Sequence, residues 1–278
     1  MNLIRKVEEI LRSGAIEEYK QEAKLLVLSV SEMSLEEILV KEKIKNEDKI
    51  LEIAKIRAEK KLPIQYLIGF CDFMGSKYVV NENVLIPRDE TEILVRHCFE
   101  LLKDKKEKLD ILDIGIGSGC ISCELAKLLK DKDVEILGVD ISNSAIETAL
   151  ENVNKQNLIR KVILRKSNLF SSIRENEKFD LIVSNPPYIP ISKKDELQYE
   201  LQFEPQSALF APDTKGVEFY KKIIEKAPEF LKPRGFLAFE IGIGQAQIIK
   251  KMLEKDFENI QIIKDLAHIE RVISAQNK

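Results

Sequence analysis

Apolar residues recur at helical spacing through the first quarter of the chain. Leu3, Val7, Ile10 and Leu11 fall on one face of a helix, and Ser34 to Glu37 forms a capping box ahead of a further apolar stretch. No strand-like alternation interrupts this pattern before Phe70. The pattern predicts a small helical bundle, and we assign it to an N-terminal domain over residues 1–72.

Two short strand-like runs follow the helical region. They flank the turn residues Asn81, Glu82 and Asn83. Two β-like runs on either side of a turn are typical of a hairpin. We therefore predict a β-hairpin linker over residues 73–87, with its turn at the Asn-Glu-Asn segment.

Strand-like and helix-like segments alternate from about Pro87 onward. The predicted strands are Leu109–Ile114, Val134–Asp140, Val162–Arg165, Phe179–Ser184, Gly235–Glu240, Ile260–Ile263 and Arg271–Ser274. A helix is predicted over Cys120–Leu129, and another is capped by Ser144 to Glu147. The alternation predicts an α/β domain over residues 88–278, with a mainly parallel sheet covered by helices on both faces. Ligands of such sheets bind at the carboxyl ends of the strands, near the point where the strand order reverses.

Composition narrows the class of protein. The 278 residues are 44% hydrophobic and 33% charged, and the net charge is −3. No apolar run approaches the ~18 residues that a membrane span requires, and the segment after Met1 lacks the apolar region of a signal peptide. The acidic balance gives no overall positive field for a nucleic-acid backbone. We expect a cytoplasmic protein with no stable nucleic-acid binding and no membrane attachment.

The cysteines invite a metal or redox interpretation. Cys120 and Cys123 form the pattern C-x-x-C, but the chain lacks a second ligand pair and has only two histidines, His97 and His268. Both cysteines fall in a helix predicted to pack under the sheet. We interpret them as small buried hydrophobic side chains and expect no metal.

A glycine-rich loop lies at the carboxyl end of the first predicted strand of the sheet. It comprises Asp113-Ile114-Gly115-Ile116-Gly117-Ser118-Gly119, and glycine lets the backbone approach a ligand closely. A dinucleotide loop has the spacing G-x-G-x-x-G, whereas Cys120 stands at the third glycine position here, and Asp113 would repel a pyrophosphate. S-adenosylmethionine, which carries positive charge and no phosphate, fits better. Asp140 ends the next strand and can accept both ribose hydroxyls. The alternatives are a structural turn for the loop and a helix cap for Asp140.

The turn after the third predicted strand carries Asn168 and Leu169. Asn168 is placed to pair with the exocyclic amine of an adenine, and Leu169 can pack on the ring and offer its backbone. The alternative for Asn168 is an ordinary turn residue.

A polar and rigid segment, Asn185-Pro186-Pro187-Tyr188, follows the buried strand Phe179–Ser184. We call these four residues the ledge. Proline lacks an N–H and has a fixed φ, so the two prolines stiffen the segment. Such a segment suits the holding of a planar amide or amino nitrogen. Asn-Pro and Pro-Pro also mark ordinary turns, which is the alternative.

The chain resembles the HemK/PrmC family of protein-(glutamine-N5) methyltransferases, which modify peptide-chain release factors. The resemblance covers essentially the whole chain. Its motifs are Phe73-Met74-Gly75, Leu85-Ile86-Pro87-Arg88-Asp89-Glu90-Thr91-Glu92, the glycine loop, the ledge with Ile189, Phe203-Glu204-Pro205, Glu240-Ile241-Gly242 and Arg271-Val272-Ile273. Asp89 stands where the family usually has proline, and Asn168 where it usually has an acid.

This resemblance implies a helical N-terminal domain that docks the substrate, a hairpin linker and a Rossmann-like methyltransferase domain that uses S-adenosylmethionine. The implied substrate is a glutamine in the Gly-Gly-Gln loop of a release factor. The cofactor-binding residues would be Asp113, Gly115, Ile116, Gly117, Ser118, Gly119, Asp140, Asn168, Leu169 and Asn185. The catalytic and substrate-binding residues would be Asn185, Pro186, Pro187 and Tyr188.

The chemistry of an amide suggests how the ledge works. An amide nitrogen is a poor nucleophile, so we expect the Asn185 side-chain oxygen and the Pro186 carbonyl to accept its two N–H groups, with Tyr188 packed against the amide plane. Positioning and charge stabilisation would then supply most of the acceleration. Arg88, Glu90, Thr91, Glu204 and Glu240 are expected to have structural roles. The alternatives are a ribosomal-protein glutamine methyltransferase, an adenine-N6 methyltransferase that stacks a flipped base on Tyr188, and a binding module without turnover.

Overall fold

The computed structural model describes residues 3–41 and 43–278. Met1, Asn2 and Glu42, which fall within the predicted helical domain, lie outside the described residues. In the two described ranges, no helix combines the length and the apolar character that crossing a bilayer demands.

The chain divides into two compact units. The first contains residues up to Phe70 together with Gln198–Phe203, and the second contains Cys71–Leu197 together with Glu204–Lys278. The hairpin that the sequence suggested as a separate linker therefore groups with the second unit. The segment Gln198–Phe203 groups with the first, which the sequence did not indicate.

The first unit is helical. Its helices are α1 (Leu3–Ser13), α2 (Tyr19–Ser31), α3 (Leu35–Val40), α4 (Glu47–Lys60) and α5 (Ile64–Ile68). The predicted apolar face of α1 is confirmed, because Leu3, Val7 and Leu11 are buried and pack in one cluster with apolar residues of the other helices. The capping box at Ser34 is also confirmed, since its hydroxyl accepts from the Glu37 N–H and the Glu37 carboxylate accepts from the Ser34 N–H.

A buried arginine attaches Gln198–Phe203 to the helices of this unit. Arg57 on α4 is 4% exposed. Its Nε and Nη2 donate to the Glu22 carboxylate at 2.7 and 2.8 Å, and its Nη1 and Nη2 donate to Glu200 Oε1 at 3.3 and 3.2 Å. Two acidic partners satisfy a charge that would be costly to bury alone.

The hairpin is formed by β1 (Phe70–Phe73) and β2 (Ser76–Val79). Its turn lies at Met74 and Gly75, so the predicted turn at Asn81–Asn83 is wrong. Both turn residues have positive φ, 49° and 77°, as a two-residue hairpin turn of this hand requires. The Asn-Glu-Asn segment forms a separate turn after β2, in which Asn81 Oδ1 accepts from the Asn83 N–H at 2.9 Å.

A seven-stranded sheet forms the centre of the second unit. The remaining strands of the chain are β3 (Leu109–Ile114), β4 (Val134–Asp140), β5 (Val162–Lys166), β6 (Phe179–Ser184), β7 (Ile189–Pro190), β8 (Phe210–Ala211), β9 (Leu231–Glu240), β10 (Phe257–Lys264) and β11 (Glu270–Asn277). The order in the large sheet is β10-β11-β9-β6-β3-β4-β5, and β11 runs antiparallel to the other six strands. The predicted mainly parallel sheet is therefore confirmed, although β9, β10 and β11 are longer than predicted.

Helices cover both faces of this sheet. They are α6 (Asp89–Leu102), α7 (Cys120–Leu128), α8 (Asn143–Lys155), α9 (Gln206–Leu209), α10 (Glu218–Lys226) and α11 (Ala246–Leu253). Adjacent strand residues enter different cores: Ile111 packs in the cluster that includes α6 and α7, whereas Leu112 packs in the cluster that includes α10 and α11. Strands buried on both faces explain why these segments read as continuous apolar runs.

The buried cysteines and the start of α8 test two further predictions. Cys98, Cys120 and Cys123 are buried and free, so the interpretation of the C-x-x-C pair as small buried side chains is confirmed. Among the described residues, no group of three or more His, Cys, Asp or Glu side chains could hold a metal ion.

The N-cap of α8 is Ser142 rather than Ser144, since the Ser142 hydroxyl accepts from the Ala145 N–H at 3.2 Å.

The strand order reverses at β3, and this places the glycine loop beside the ledge. Chain order runs from β3 outward to β4 and β5, and β6 then returns to the opposite side of β3. Ile114, the last residue of β3, pairs with Val139 of β4 and with Ser184 of β6. The glycine loop, Asp140 and the ledge therefore all begin at adjacent strand ends, at the point where open α/β sheets bind ligands.

Candidate active site

The glycine loop turns sharply on backbone bonds. Gly115 and Ile116 donate their N–H groups to the Val139 carbonyl at 2.8 and 2.9 Å, and the Gly119 N–H donates to the Ile116 carbonyl at 2.8 Å. The three glycines of the loop have φ of 78°, 53° and 82°, which side-chain-bearing residues rarely adopt. Gly115 has nothing within 4 Å of where a Cβ would stand. The loop therefore presents open backbone toward a ligand.

Asp113 lies beneath the loop rather than in the wall of the cavity. Its side chain is fully buried, Oδ2 accepts from the Ser122 hydroxyl at 2.6 Å, and Oδ1 has no hydrogen-bond partner. Burial raises the pKa of the Asp113 carboxyl to about 7, against the opposing effect of the Ser122 bond. A buried carboxylate with a vacant acceptor position gains from a nearby cation.

Asp140 is held by two backbone donors at the end of β4. Its Oδ2 accepts from the Gly117 N–H at 3.1 Å, and its Oδ1 accepts from the Ser142 N–H at 2.9 Å. These bonds tie the glycine loop to the start of α8 and fix the carboxylate orientation. Each oxygen keeps a second lone pair, so both can still accept from a hydroxyl.

The ledge begins directly after β6, and its first residue is held by an alcohol. Asn185 Nδ2 lies 3.4 Å from Thr91 Oγ1, and the Thr91 hydroxyl donates to Glu240 Oε2 at 2.6 Å. The Tyr188 hydroxyl donates to Glu240 Oε1 at 3.3 Å. Glu240 is 3% exposed, and burial raises the pKa of its carboxyl. One buried carboxylate thus orients both ends of the ledge.

A buried glutamine holds the ledge backbone. Gln245 Nε2 contacts the carbonyl oxygens of Tyr188, Lys215 and Gly216 at 3.0, 2.9 and 3.1 Å, and its Oε1 accepts from the Gly242 N–H at 2.9 Å. Gly216 packs so closely here that a Cβ would stand 2.0 Å from the Tyr188 carbonyl oxygen. The backbone at Tyr188 is therefore enclosed from two sides.

A second buried acid fixes the segment that leads into α6. Glu204 is 4% exposed; its Oε2 accepts from the Ile86 N–H at 3.0 Å, and its Oε1 pairs with the Arg88 guanidinium. Pro87, Arg88 and Thr91 of this segment line the cavity described next. The predicted structural roles of Arg88 and Glu204 agree with these contacts.

One cavity at these strand ends brings most of the predicted site residues together. Those in its wall are Gly115, Ile116, Gly117, Ser118, Asp140, Asn168, Leu169, Asn185, Pro186 and Pro187. Asp113, Gly119 and Tyr188 lie outside the wall and act as supports: Gly119 begins α7 in the left-handed conformation, and Tyr188 bonds to Glu240. Leu169 also has a positive φ, 50°, which turns the chain beside exposed Asn168.

Comparison with known proteins identifies the family of this chain. Residues 105–277 match the family model described as a methyltransferase domain. Release factor glutamine methyltransferase of Fusobacterium nucleatum is 43% identical over 90% of this chain and 70% of its own length. The corresponding protein of Aquifex aeolicus is 34% identical over 98% of this chain and 95% of its own length.

This chain belongs to the release factor glutamine methyltransferase family.

Solved structures of other methyltransferases share the fold of this family member. The catalytic domain of hMettl16, solved with a MAT2A 3′UTR hairpin, matches 82% of this chain and 80% of its own with a TM-score of 0.59 at 16% identity. A methyltransferase from Pyrococcus furiosus matches 83% of this chain and 97% of its own with a TM-score of 0.52 at 19% identity. At these identities the likeness supports the Rossmann-like methyltransferase fold alone.

Some residues of this family member's site were missed in the sequence. Gln245 was not identified at all, and Ile141, Phe219 and Ile223 also line the cavity. A usable sequence signal existed only for Ile141, because it directly follows Asp140. In the structure its side chain is 56% exposed. Gln245 carries no local signal for its role at the ledge, because the carbonyl groups that it holds lie about 30 and 57 residues before it in the chain.

Proposed function

We propose that this protein transfers a methyl group from S-adenosylmethionine to the side-chain amide nitrogen of the glutamine in the Gly-Gly-Gln loop of peptide-chain release factors. The observation that carries the proposal is the adjacency of the glycine loop and the ledge in one cavity, at strand ends that pair through Ile114 and Ser184. The names of the curated relatives support the same reaction.

The residues around the loop fit the cofactor. S-adenosylmethionine supplies, when bound, a methyl group activated on a sulfonium. The unpartnered Asp113 Oδ1 favours a cation nearby, and the open backbone at Gly115 accommodates a closely packed ligand. Asp140 would hold the ribose hydroxyls, while Asn168, Leu169 and exposed Ile141 would contact the adenine.

The ledge residues would orient the substrate amide. The Asn185 side-chain oxygen and the Pro186 carbonyl accept one N–H each, which leaves the nitrogen lone pair directed toward the methyl group. As the new C–N bond forms, the bond between the methyl carbon and the sulfonium sulfur would break, and S-adenosylhomocysteine would leave as an uncharged thioether. The amide then gains positive charge that the two oxygens stabilise, and one of its protons leaves to water. Tyr188, which lies outside the cavity wall, would support the ledge through its hydrogen bond to Glu240. Most of the acceleration comes from holding the nitrogen in line with the methyl group.

The alternative substrates have weaker support. A ribosomal-protein glutamine or an adenine amino group would suit the same ledge, but the relatives that match most of the chain bear neither description. The net charge of −3 also gives nucleic acid no overall attraction. A module without turnover would have no need for the constrained orientation of Asn185 and Tyr188.

The helical unit, residues up to Phe70 with Gln198–Phe203, is the proposed docking surface for the folded release factor. A release factor acts with the ribosome, so a protein that modifies it would be cytoplasmic. Leu39 and Val40 on α3 are 62% and 83% exposed, an apolar pair on a mostly charged surface. Changing both to Asp should raise KM for intact release factor and leave KM for a Gly-Gly-Gln peptide unchanged. Equal effects on the two substrates would contradict docking at this surface.

The reaction itself is tested by incubation of the protein with S-adenosylmethionine and a purified release factor, followed by peptide mass spectrometry. We expect a single methyl group on the glutamine of the Gly-Gly-Gln loop. Absence of the methyl group, with cofactor binding intact, would overturn the proposal and direct the search to ribosomal protein and then to adenine-containing nucleic acid.

A further inference from the structure

Glu240 at the end of β9 is an acid buried without a cationic partner among the described residues. Its two oxygens instead accept hydroxyl protons, from Thr91 at 2.6 Å and from Tyr188 at 3.3 Å, and the Asn185 side chain also hydrogen-bonds to this carboxylate. A carboxylate accepts hydrogen bonds and does not donate them. The direction of both hydroxyl bonds is therefore fixed by Glu240.

This direction passes on to the ledge asparagine. A threonine hydroxyl has one proton, and Thr91 gives its proton to Glu240, so Thr91 Oγ1 can only accept from its other neighbour. That neighbour is the Asn185 side chain, whose Nδ2 lies 3.4 Å away. A flipped amide would place two acceptor oxygens against each other. Glu240 therefore determines, both directly and through Thr91, which edge of the Asn185 amide carries the oxygen toward the cavity.

We propose that Glu240 and Thr91 are positioning residues that hold the Asn185 amide with its oxygen available to the substrate. The inference rests on the proposed function of Asn185 and assigns it a mechanism of orientation. The two residues touch neither the reacting nitrogen nor the methyl group. They act by excluding the inverted amide, which would offer an N–H donor where the substrate amide needs an acceptor.

The hydrogen-bonded series Glu240–Thr91–Asn185 is called the relay below. Removal of the Thr91 hydroxyl tests it. In Thr91→Val the shape is kept and the acceptor is lost, so we expect kcat to fall about 10²-fold, as for loss of one preorganised polar group, with the cofactor Kd within about threefold of wild type. Thr91→Ser restores the hydroxyl and should recover most of kcat. A purely structural role would lower the melting temperature without this split between kcat and cofactor binding.

The chain contains a matched control. Thr148 on α8 is 4% exposed, and its hydroxyl donates to the Ser144 carbonyl at 3.0 Å while accepting from Asn81 Nδ2 at 3.2 Å. Like Thr91, Thr148 donates to an oxygen and accepts from an asparagine Nδ2, although its acceptor is a backbone carbonyl, and Thr148 does not line the cavity. Thr148→Val should cost stability and leave kcat unchanged. Equal losses of kcat in Thr91→Val and Thr148→Val would overturn the positioning role.

Glu240→Gln provides a second variant should Thr91→Val fold poorly. The glutamine amide can donate to Thr91 Oγ1, which frees the Thr91 proton to bond the Asn185 oxygen and stabilises the inverted amide. We expect kcat to fall at least as far as in Thr91→Val. A Glu240→Gln protein with wild-type kcat would overturn the proposal, because the polarity of the relay would then be irrelevant.

A readout without turnover separates this inference from the proposed function. Nuclear magnetic resonance of ¹⁵N-asparagine-labelled protein, with Asn185 assigned by loss of its signals in Asn185→Asp, should show shifted and faster-exchanging Asn185 amide protons in Thr91→Val and restored signals in Thr91→Ser. Unchanged Asn185 signals in Thr91→Val, with release-factor methylation intact, would sink the relay alone. Responsive Asn185 signals in a protein that leaves release factor unmodified would support the relay and sink the proposed function.

Discussion

The two halves of the cavity are held in different ways. The glycine loop is fixed mainly by backbone bonds to Val139 and by three glycines with positive φ, and the side chains of Asp140 and Asn152 also bond to its backbone. The ledge depends on side chains from elsewhere in the chain, namely Thr91, Glu240 and Gln245. The glycine loop therefore tolerates changes in the side chains around it. The orientation of the ledge, in contrast, depends on side chains that are distant in the sequence.

The difference matches the task of each half. A cofactor that approaches backbone needs space and permissive φ, which glycine supplies locally. A planar amide must be oriented by a few polar atoms to within a narrow range, and such atoms need supporting bonds of their own. The following predictions test this contrast, from the largest expected effect to the smallest.

Asn185→Ala should separate chemistry from cofactor binding most clearly. Loss of the amide oxygen removes an acceptor for the substrate N–H, and we expect turnover to fall about 10³-fold. The cofactor Kd, measured by calorimetry, should change by about threefold or less, because the glycine loop is held independently of the ledge. Near-normal turnover with intact cofactor binding would contradict the proposed role of Asn185.

Asp113 should make the stability of the ligand-free protein depend on pH. Its pKa is raised by burial from 3.8 to about 7, so the native state binds a proton more tightly than the unfolded state, and stability present below pH 4 is lost as pH rises to 7. At about 1.4 kcal/mol for each pH unit, the loss over this range reaches roughly 4 kcal/mol.

Asp113→Asn should abolish that loss, and chemical denaturation at several pH values measures it. Comparison of the two proteins is needed because burial also raises the pKa of Glu240, with the same sign, and lowers that of His97, with the opposite sign. A difference in unfolding free energy between wild type and Asp113→Asn that stays constant from pH 4 to 8 would show the prediction to be wrong.

Gln245→Glu should damage the ledge through its backbone. A carboxylate keeps an acceptor for the Gly242 N–H but presents negative charge to the carbonyls of Tyr188, Lys215 and Gly216, which lose their donor. We expect a loss of about 2–3 kcal/mol in unfolding free energy, together with a lower kcat. Exposed Gln247→Glu in the same helix is the matched control, and an equal loss there would rule out the ledge as the cause.

Gly138→Ala should disturb the glycine loop from below by a smaller amount. The new Cβ would stand 2.0 Å from Ile116 Cδ1, the mobile end of a side chain. We expect about 1–2 kcal/mol of overpacking and a roughly tenfold weaker cofactor Kd by calorimetry. Adding Ile116→Val removes the clashing atom and should restore binding. Failure of that rescue would mean that the loop is not displaced through Ile116.

The same contrast explains how far the sequence predicted the molecule. The glycine loop and the ledge were identified because each is a contiguous pattern whose physical role is local, and the central strands were recognised by their apolar runs. Thr91 and Glu240 were expected to have structural roles, but their link to the ledge was not predicted, since Thr91 lies 94 residues from Asn185 and meets it only through the packing of α6 on the sheet. The hairpin turn was misplaced because Asn-Glu-Asn is the stronger local turn signal than Met74-Gly75, yet Gly75 supplies the required positive φ.

The return of Gln198–Phe203 to the helical unit has a consequence for modularity. The chain passes between the two units at Phe70 and again on either side of this segment, so the helical unit is not a terminal appendage that one cut removes. An exchange of this unit between family members would have to carry both pieces, or Arg57 would meet a foreign residue in place of Glu200. Sequence changes in the residues up to Phe70 and in Gln198–Phe203 are therefore expected to be correlated. A chimaera that exchanges only the residues up to Phe70 would contain a mismatched Arg57–Glu200 ion pair.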